Sequence, residues 1–171
     1  MNRRLLIIVL MACLLPLGMQ AQQGTFRFAQ LTDIHLTPNN PNPTEDLLRS
    51  VAQINATDSI DFVLVTGDLT EEGDRTTMEK VKSCLDLLKV PYHVVLGNHE
   101  TKWSDSGCTA FGEIFGGERF EFEHKGFLFL GFNSGPLMRM AYGHVVPQDI
   151  RWMTEETVSY THLTLPTTPY V

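Results

Sequence analysis

The apolar positions of this chain fall into short blocks that switch between period two and a helical period. Phe26-Arg27-Phe28-Ala29-Gln30-Leu31 alternates apolar with polar or small residues and predicts a strand. A Pro-containing loop from Pro38 to Pro43 follows. Thr44-Glu45-Asp46 then opens a predicted helix carrying Leu47, Leu48, Val51 and Ile54 on one face. Asp61-Phe62-Val63-Leu64-Val65-Thr66 is a continuous apolar run of the kind a strand buried on both faces requires. Thr76 to Leu88 is amphipathic with helical period, and Tyr92-His93-Val94-Val95-Leu96 reads as a further strand. Strands alternating with helices predict an α/β sheet fed by crossover connections. Beyond it come a Gly/Ser loop holding Phe111, Ile114 and Phe115, a hairpin of 119–123 with 127–132 around Lys125-Gly126, and a helix from Gln148 to about Glu156.

The ends of the chain read differently. Arg3 and Arg4 precede an apolar run from Leu5 to Leu15, and Ala21 offers a small residue at a cleavage point, so residues 1–21 are expected to be a secretory signal peptide. The run is shorter than the ~20 residues a membrane span needs. A lipoprotein reading through Cys13 ranks below it, because Met11 suits that motif poorly. The expected localisation is periplasmic or extracellular, with the membrane met only during export. At the other end, Val158 to Thr167 has no helical period and resembles the in-frame translation of a sequencing adapter. Residues 158–171 are therefore expected to be a non-native tail, and residues 22–157 the front part of a longer domain.

Composition narrows the partners. The formal net charge of the 171 residues is −7 with no basic stripe, so no nucleic acid is implied. Acidity does not exclude a phosphate ester, since bound cations reverse the local field. Of the cysteines outside the signal, Cys84 lies on the apolar side of its helix with Val81, Leu85 and Leu88 and is expected to be buried. Cys108 sits in the Gly/Ser loop. Export would permit a bridge between them, but neither spacing suggests a metal site.

Candidate chemistry lies just beyond the predicted strands, in Asp33-Ile34-His35, Gly67-Asp68 and Gly97-Asn98-His99-Glu100. Strand ends are where α/β folds gather ligands. Asp33 and His35 are two apart and can point one way from an extended segment. Asp68 follows a glycine that admits close backbone approach and suits a bridging role. Asn98 offers a carbonyl oxygen to a hard or borderline cation. His99 is aimed by its neighbour toward a leaving group. Two divalent ions about 3.5–4 Å apart can hold a hydroxide between them and clamp a phosphoryl group. Singly, Asp-x-His or Gly-Asp is explained by a turn with a satisfied carboxylate. All three in order, each after an apolar strand, are not.

On these motifs the chain resembles the calcineurin-like metallophosphoesterase family, in its cyclic-nucleotide-phosphodiesterase-like branch, from about Phe26 to Thr157. Phe132-Asn133-Ser134, Gly143, Gln148 and Trp152 extend the likeness. The resemblance implies an α/β sandwich of two sheets flanked by helices, in α-β-β-α layers. It implies two divalent metal ions (Mn, Fe or Zn), one held by Asp33, His35 and Asp68 and the other by Asp68 and Asn98, with His99 as the catalytic histidine. The family's later histidine ligands are not matched here, which is why the C-terminal part is expected to be missing and this portion inactive alone. His144 is assigned to a loop.

Other candidates have plainer readings. His93 is expected in the sheet, His124 in solvent beside the hairpin turn, and Trp103 and Trp152 in packing. Glu72 and Asp74 cap or solvate a helix start. Arg139 can reach a substrate phosphate, against the plainer reading of a solvated loop arginine. The expected function is thus an exported metal-dependent hydrolase of a small phosphate mono- or diester. The alternatives are a nucleotidase or general phosphomonoesterase, or a non-catalytic scaffold, which would be expected to have lost some of the five site residues.

Overall fold

The computed structural model describes residues 24–136 and 142–158. Strands β1 (Phe28–Leu31), β2 (Phe62–Thr66) and β3 (Tyr92–Val95) form a parallel sheet in the order β1-β2-β3. Phe28 lies opposite Phe62, and Val63 opposite Tyr92. Helix α1 (Asn42–Ala56) links β1 to β2, and α2 (Arg75–Leu85) links β2 to β3. Because the strands are parallel, their carboxyl ends lie together, and each motif begins there.

Period two divides the sheet residues cleanly. Ala29, Leu31, Val63, Val65, Tyr92 and Val94 turn toward the helices, where Leu47, Val51, Met78, Val81 and Leu85 complete the core. Side chains such as Val63, Val81 and Leu85 have no exposed surface. Each contributes roughly 1.5–3 kcal/mol of transfer free energy. The two helices are tied at their far ends by Asn55, whose amide donates to Leu87 O at 2.8 Å and accepts from Lys89 N–H at 2.8 Å.

The other face of the sheet is aromatic. Phe62 meets Phe28, Phe122, Phe129 and His124, and His93 stacks on Phe122 with ring centroids 3.7 Å apart. Phe122 and Phe129 belong to the antiparallel hairpin β4 (Arg119–His124) and β5 (Phe127–Phe132), which lies across this face as a second sheet. Helices, parallel sheet and hairpin thus stack in the order of the first three layers of the expected α-β-β-α sandwich. Helix α5 (Pro147–Thr157) is anchored to the hairpin by the ion pair of Arg119 with buried Asp149, and the same guanidinium lies over Trp152. No helix among the described residues is long and apolar enough to cross a membrane.

Several expectations need correction. Helix α1 starts at Asn42 because Pro43 fits a first turn, where a missing N–H costs nothing. Leu48 does not share the buried face of Leu47 and Val51; it points outward, 39% exposed. Helix α2 starts at Arg75, with Asp74 accepting from Thr77 N–H, and ends at Leu85 instead of Leu88. Most of the expected loop after β3 is helical, as α3 (Asn98–Lys102) and α4 (Thr109–Phe115), and Phe111 is fully buried. His124 is not solvated: its ring lies edge-on to Phe26 and Phe62, with Nε2 3.2 Å from Asp61. Asp61 also accepts from Lys125 at 2.8 Å and from Arg27 N–H at 3.0 Å, which hold its carboxyl down to about 2. Cys84 and Cys108 are both buried, and neither is in a disulfide. Burial pushes the Cys108 thiol up to about 11.

Candidate metal and phosphoester site

The loops beyond β1 and β2 are zipped together by backbone bonds. Asp33 N–H donates to Gly67 O at 3.3 Å, His35 N–H to Asp68 O at 3.0 Å and Leu36 N–H to Leu69 O at 3.0 Å. This register turns Asp33, His35 and Asp68 into left-handed backbone, with φ of 54°, 48° and 50°. Non-glycine residues pay for that conformation, and such strain persists where surrounding structure enforces it. Here it directs three donor side chains into one place.

Two glycines make the convergence possible. A Cβ on Gly67 would stand 2.5 Å from the Cα and N of Gly97, and Gly67 also has φ 98°. A Cβ on Gly97 would collide with the backbone N and Oδ1 of Asp68. Gly97 itself has φ −100°, open to any residue, so its requirement is space alone. Gly97→Ala is therefore expected to destabilise the fold by about 1–3 kcal/mol through overpacking and to displace Asp68. A melting curve and a metal titration on one preparation check this; an unchanged metal affinity would show that Asp68 can move aside harmlessly.

Glu100 explains the last residue of its motif. It is fully buried, accepting from Gly97 N–H at 2.9 Å and from Thr70 N–H at 3.0 Å. Its carboxylate thereby pins the start of α3 to the loop after β2. Burial pushes its carboxyl above the usual range, the nearby Asp68 charge adds to this, and the hydrogen bonds oppose it.

Three of the candidate donors gather at one point. One ligand atom from each of Asp33, His35 and Asp68 lies within 4.8 Å of the others. His35 Nε2 is 3.8 Å from Asp33 Oδ1 and 4.0 Å from Asp68 Oδ2. Two carboxylates and an imidazole, closely held on strained backbone, suit a divalent cation. Asp68 Oδ1 accepts from His99 N–H at 3.1 Å. Asn98 lines a cavity of about 480 Å³ together with Asp33, Asp68 and Ser134. The Ser134 segment is held there by His144 N–H donating to Ser134 O at 3.2 Å, which gives His144 its loop role. His99 stands beside the group, its ring edge-on to His35 at 4.5 Å, with Nδ1 2.5 Å from Glu71 O. Arg139 lies outside the described residues, as do the segment expected to be a signal peptide and the tail beyond Val158.

Glu71 was not anticipated. Its Oε2 is 3.0 Å from His35 Nδ1, the arrangement by which a carboxylate fixes the orientation of a metal-binding imidazole. His35, Glu71 and His99 also form a triad with donor atoms within 4.8 Å. No local sequence signal marked it: Glu71 faces the site because the turn after Asp68 buries Leu69 and Thr70 fully.

The calcineurin-like phosphoesterase profile matches residues 26–164. A probable cyclic nucleotide phosphodiesterase of Rhodopseudomonas palustris is 33% identical over 97 residues, which is 53% of this chain and 33% of that protein. A 3',5'-cyclic-nucleotide phosphodiesterase of Nostoc is 24% identical over 135 residues, 75% of this chain and 50% of that protein. Human tartrate-resistant acid phosphatase type 5 is 29% identical over 120 residues, 63% of this chain and 37% of that protein. The chain thus spans between a third and a half of the length of these relatives. With the motifs at the carboxyl ends of the parallel strands and the profile covering most of the sequence, the chain belongs to the calcineurin-like phosphoesterase family.

Proposed function

We propose that this chain carries the metal-binding core of an exported phosphoesterase that hydrolyses a phosphate mono- or diester with two divalent ions. The observation that carries the reading is the gathering of Asp33, His35 and Asp68 donors within 4.8 Å, with Asn98 and His99 arriving from the end of β3. Asp33, His35 and Asp68 would hold one ion, and Asp68 and Asn98 would contribute to the other. Bound there, divalent ions supply Lewis acidity and charge neutralisation to the phosphoryl group.

The chain's own residues do the rest. The His99 backbone N–H fixes the rotamer of Asp68, so one carboxylate serves both the turn and the site. A carbonyl oxygen only accepts, so the bond to Glu71 O requires a proton on His99 Nδ1. That leaves Nε2 as the nitrogen that exchanges a proton, and as imidazolium it can protonate the leaving oxygen. Glu71 holds the His35 ring. The relatives named as cyclic nucleotide phosphodiesterases support a diester substrate, and the acid phosphatase supports a monoester. Export is supported by the segment from Arg3 to Ala21.

The test compares bis(p-nitrophenyl) phosphate with p-nitrophenyl phosphate, using full-length protein stripped by a chelator and then resupplied with Mn²⁺, Fe²⁺ or Zn²⁺. Hydrolysis should vanish on stripping and return with metal, and the intact mass should place Gln22 first. Metal binding without hydrolysis of either ester would favour the scaffold reading, and hydrolysis that survives complete stripping would refute the metal-dependent one.

A further inference from the structure

Resting on that phosphoesterase reading, we infer that Lys102 and Trp103 form a substrate subsite for a flat aromatic ester arm, with Lys102 serving the phosphoester anion and Trp103 the ring. The site is flanked by a second cavity of about 600 Å³ that shares Asn98 with the first and is also lined by His99, Lys102 and Trp103. Lys102 lies on the rims of both cavities and is the one lysine or arginine lining either among the described residues. It follows Asn98 by one helical turn, so the sequence that delivers Asn98 and His99 to the site delivers an ammonium to the same face of α3.

Trp103 was expected to be a packing residue, but it is 48% exposed and lines this cavity. Its backbone is nonetheless fixed. Trp103 N–H donates to His99 O at 3.4 Å, and a Cβ on Gly73 would stand 2.8 Å from that same His99 O. The turn sets an exposed indole in the same cavity wall as His99, the residue read above as proton donor to the leaving oxygen. The Lys102 ammonium lies over the indole, 4.9 Å from its centroid. A cation on an aromatic face is held weakly at an exposed site. An incoming aromatic arm can take that face while the flexible lysine stem turns its ammonium to the phosphoester anion, so the contact given up is replaced by a charge-assisted one. Glu71, Glu72 and Asp105 line the same cavity and would instead favour a cationic arm. Glu71 is already engaged with His35, however, and Trp103 is the sole large flat surface among the lining residues.

The experiment measures inhibition of bis(p-nitrophenyl) phosphate hydrolysis by phenylphosphonate, methylphosphonate and 2-aminoethylphosphonate, in full-length metal-loaded protein. The unmodified protein should prefer phenylphosphonate over methylphosphonate by about tenfold, the scale of one aromatic stacking contact. Trp103→Ala should bring that ratio near one by weakening phenylphosphonate alone, and Trp103→Phe should restore most of it. Lys102→Met should weaken phenylphosphonate and methylphosphonate by a similar factor. A ratio unmoved by Trp103→Ala overturns the inference, as does a stronger preference for 2-aminoethylphosphonate, which would assign the cavity to its carboxylates. Absence of hydrolysis in the unmodified protein would overturn the parent reading, an outcome separable from both.

Discussion

Asp68→Ala is expected to abolish turnover and strip most of the bound metal. Asp68 joins the His35 and His99 sides of the site through both its side chain and its backbone. Its Oδ2 faces His35, its Oδ1 accepts the His99 N–H, and its backbone carbonyl accepts from His35 N–H. The substitution removes an anionic ligand to both proposed ions and releases the amide that sets the start of α3. The loss of affinity should exceed the roughly 10–100-fold that removing a supporting partner costs a metal site. Elemental analysis after gel filtration, with hydrolysis assayed on the same fractions, measures both. Asp68→Asn sharpens the result, because it keeps an acceptor for His99 N–H while deleting the charge. Metal retention by Asp68→Asn but not by Asp68→Ala would mean that orientation of α3 matters more than the anion.

His99→Ala should separate binding from chemistry. The imidazole is tied to Glu71 O through Nδ1 and stands beside the donor group. Turnover is expected to fall by roughly 10²–10⁴, the range for one general acid–base residue, with metal content unchanged. The triad of His35, Glu71 and His99 makes the opposite outcome concrete. If metal content fell in parallel with rate, His99 would be a ligand in that triad and not a proton donor. The pair of variants is informative together, since Asp68→Ala should lose metal and rate while His99→Ala loses rate alone.

The strands were legible because burial on two faces leaves an unbroken apolar run, as in Phe62 to Val65, and because such runs end where the polar motif begins. The metal-ligand candidates were legible for the same reason: Asp33, Asp68 and Asn98 each follow a strand whose end is unmistakable. Helices α3 and α4 were not legible. At 5 and 7 residues they are too short for periodicity, and Gly97, Gly107 and Gly112 disguise them as loop. Leu48 was misplaced because it sits one position beyond Leu47 around the helix, at the margin of the buried stripe, and the apolar pattern does not say how wide that stripe is. His124 was misplaced because its surroundings, Phe26 and Asp61, are distant in sequence and meet it only when the hairpin crosses the sheet. Glu71 is the instructive omission. Its role depends on the turn that hides Leu69 and Thr70 and on the rotation of His35, neither of which is written in local pattern.

The left-handed backbone at residues 33, 35 and 68 means that these positions answer to two selections at once. One asks for a donor to a cation. The other asks for a residue that tolerates positive φ, which favours Asp, Asn and His among side chains other than none at all. A homologue bearing Asn at 33 and 68 would satisfy the second demand while failing much of the first, and would look well preserved while having surrendered its charge. A longer acid such as Glu would do the reverse, keeping charge but fitting the turn badly. Substitution tolerance at these positions is therefore an ambiguous record of chemistry, and the Asp-to-Asn exchange is the one that tells the two demands apart.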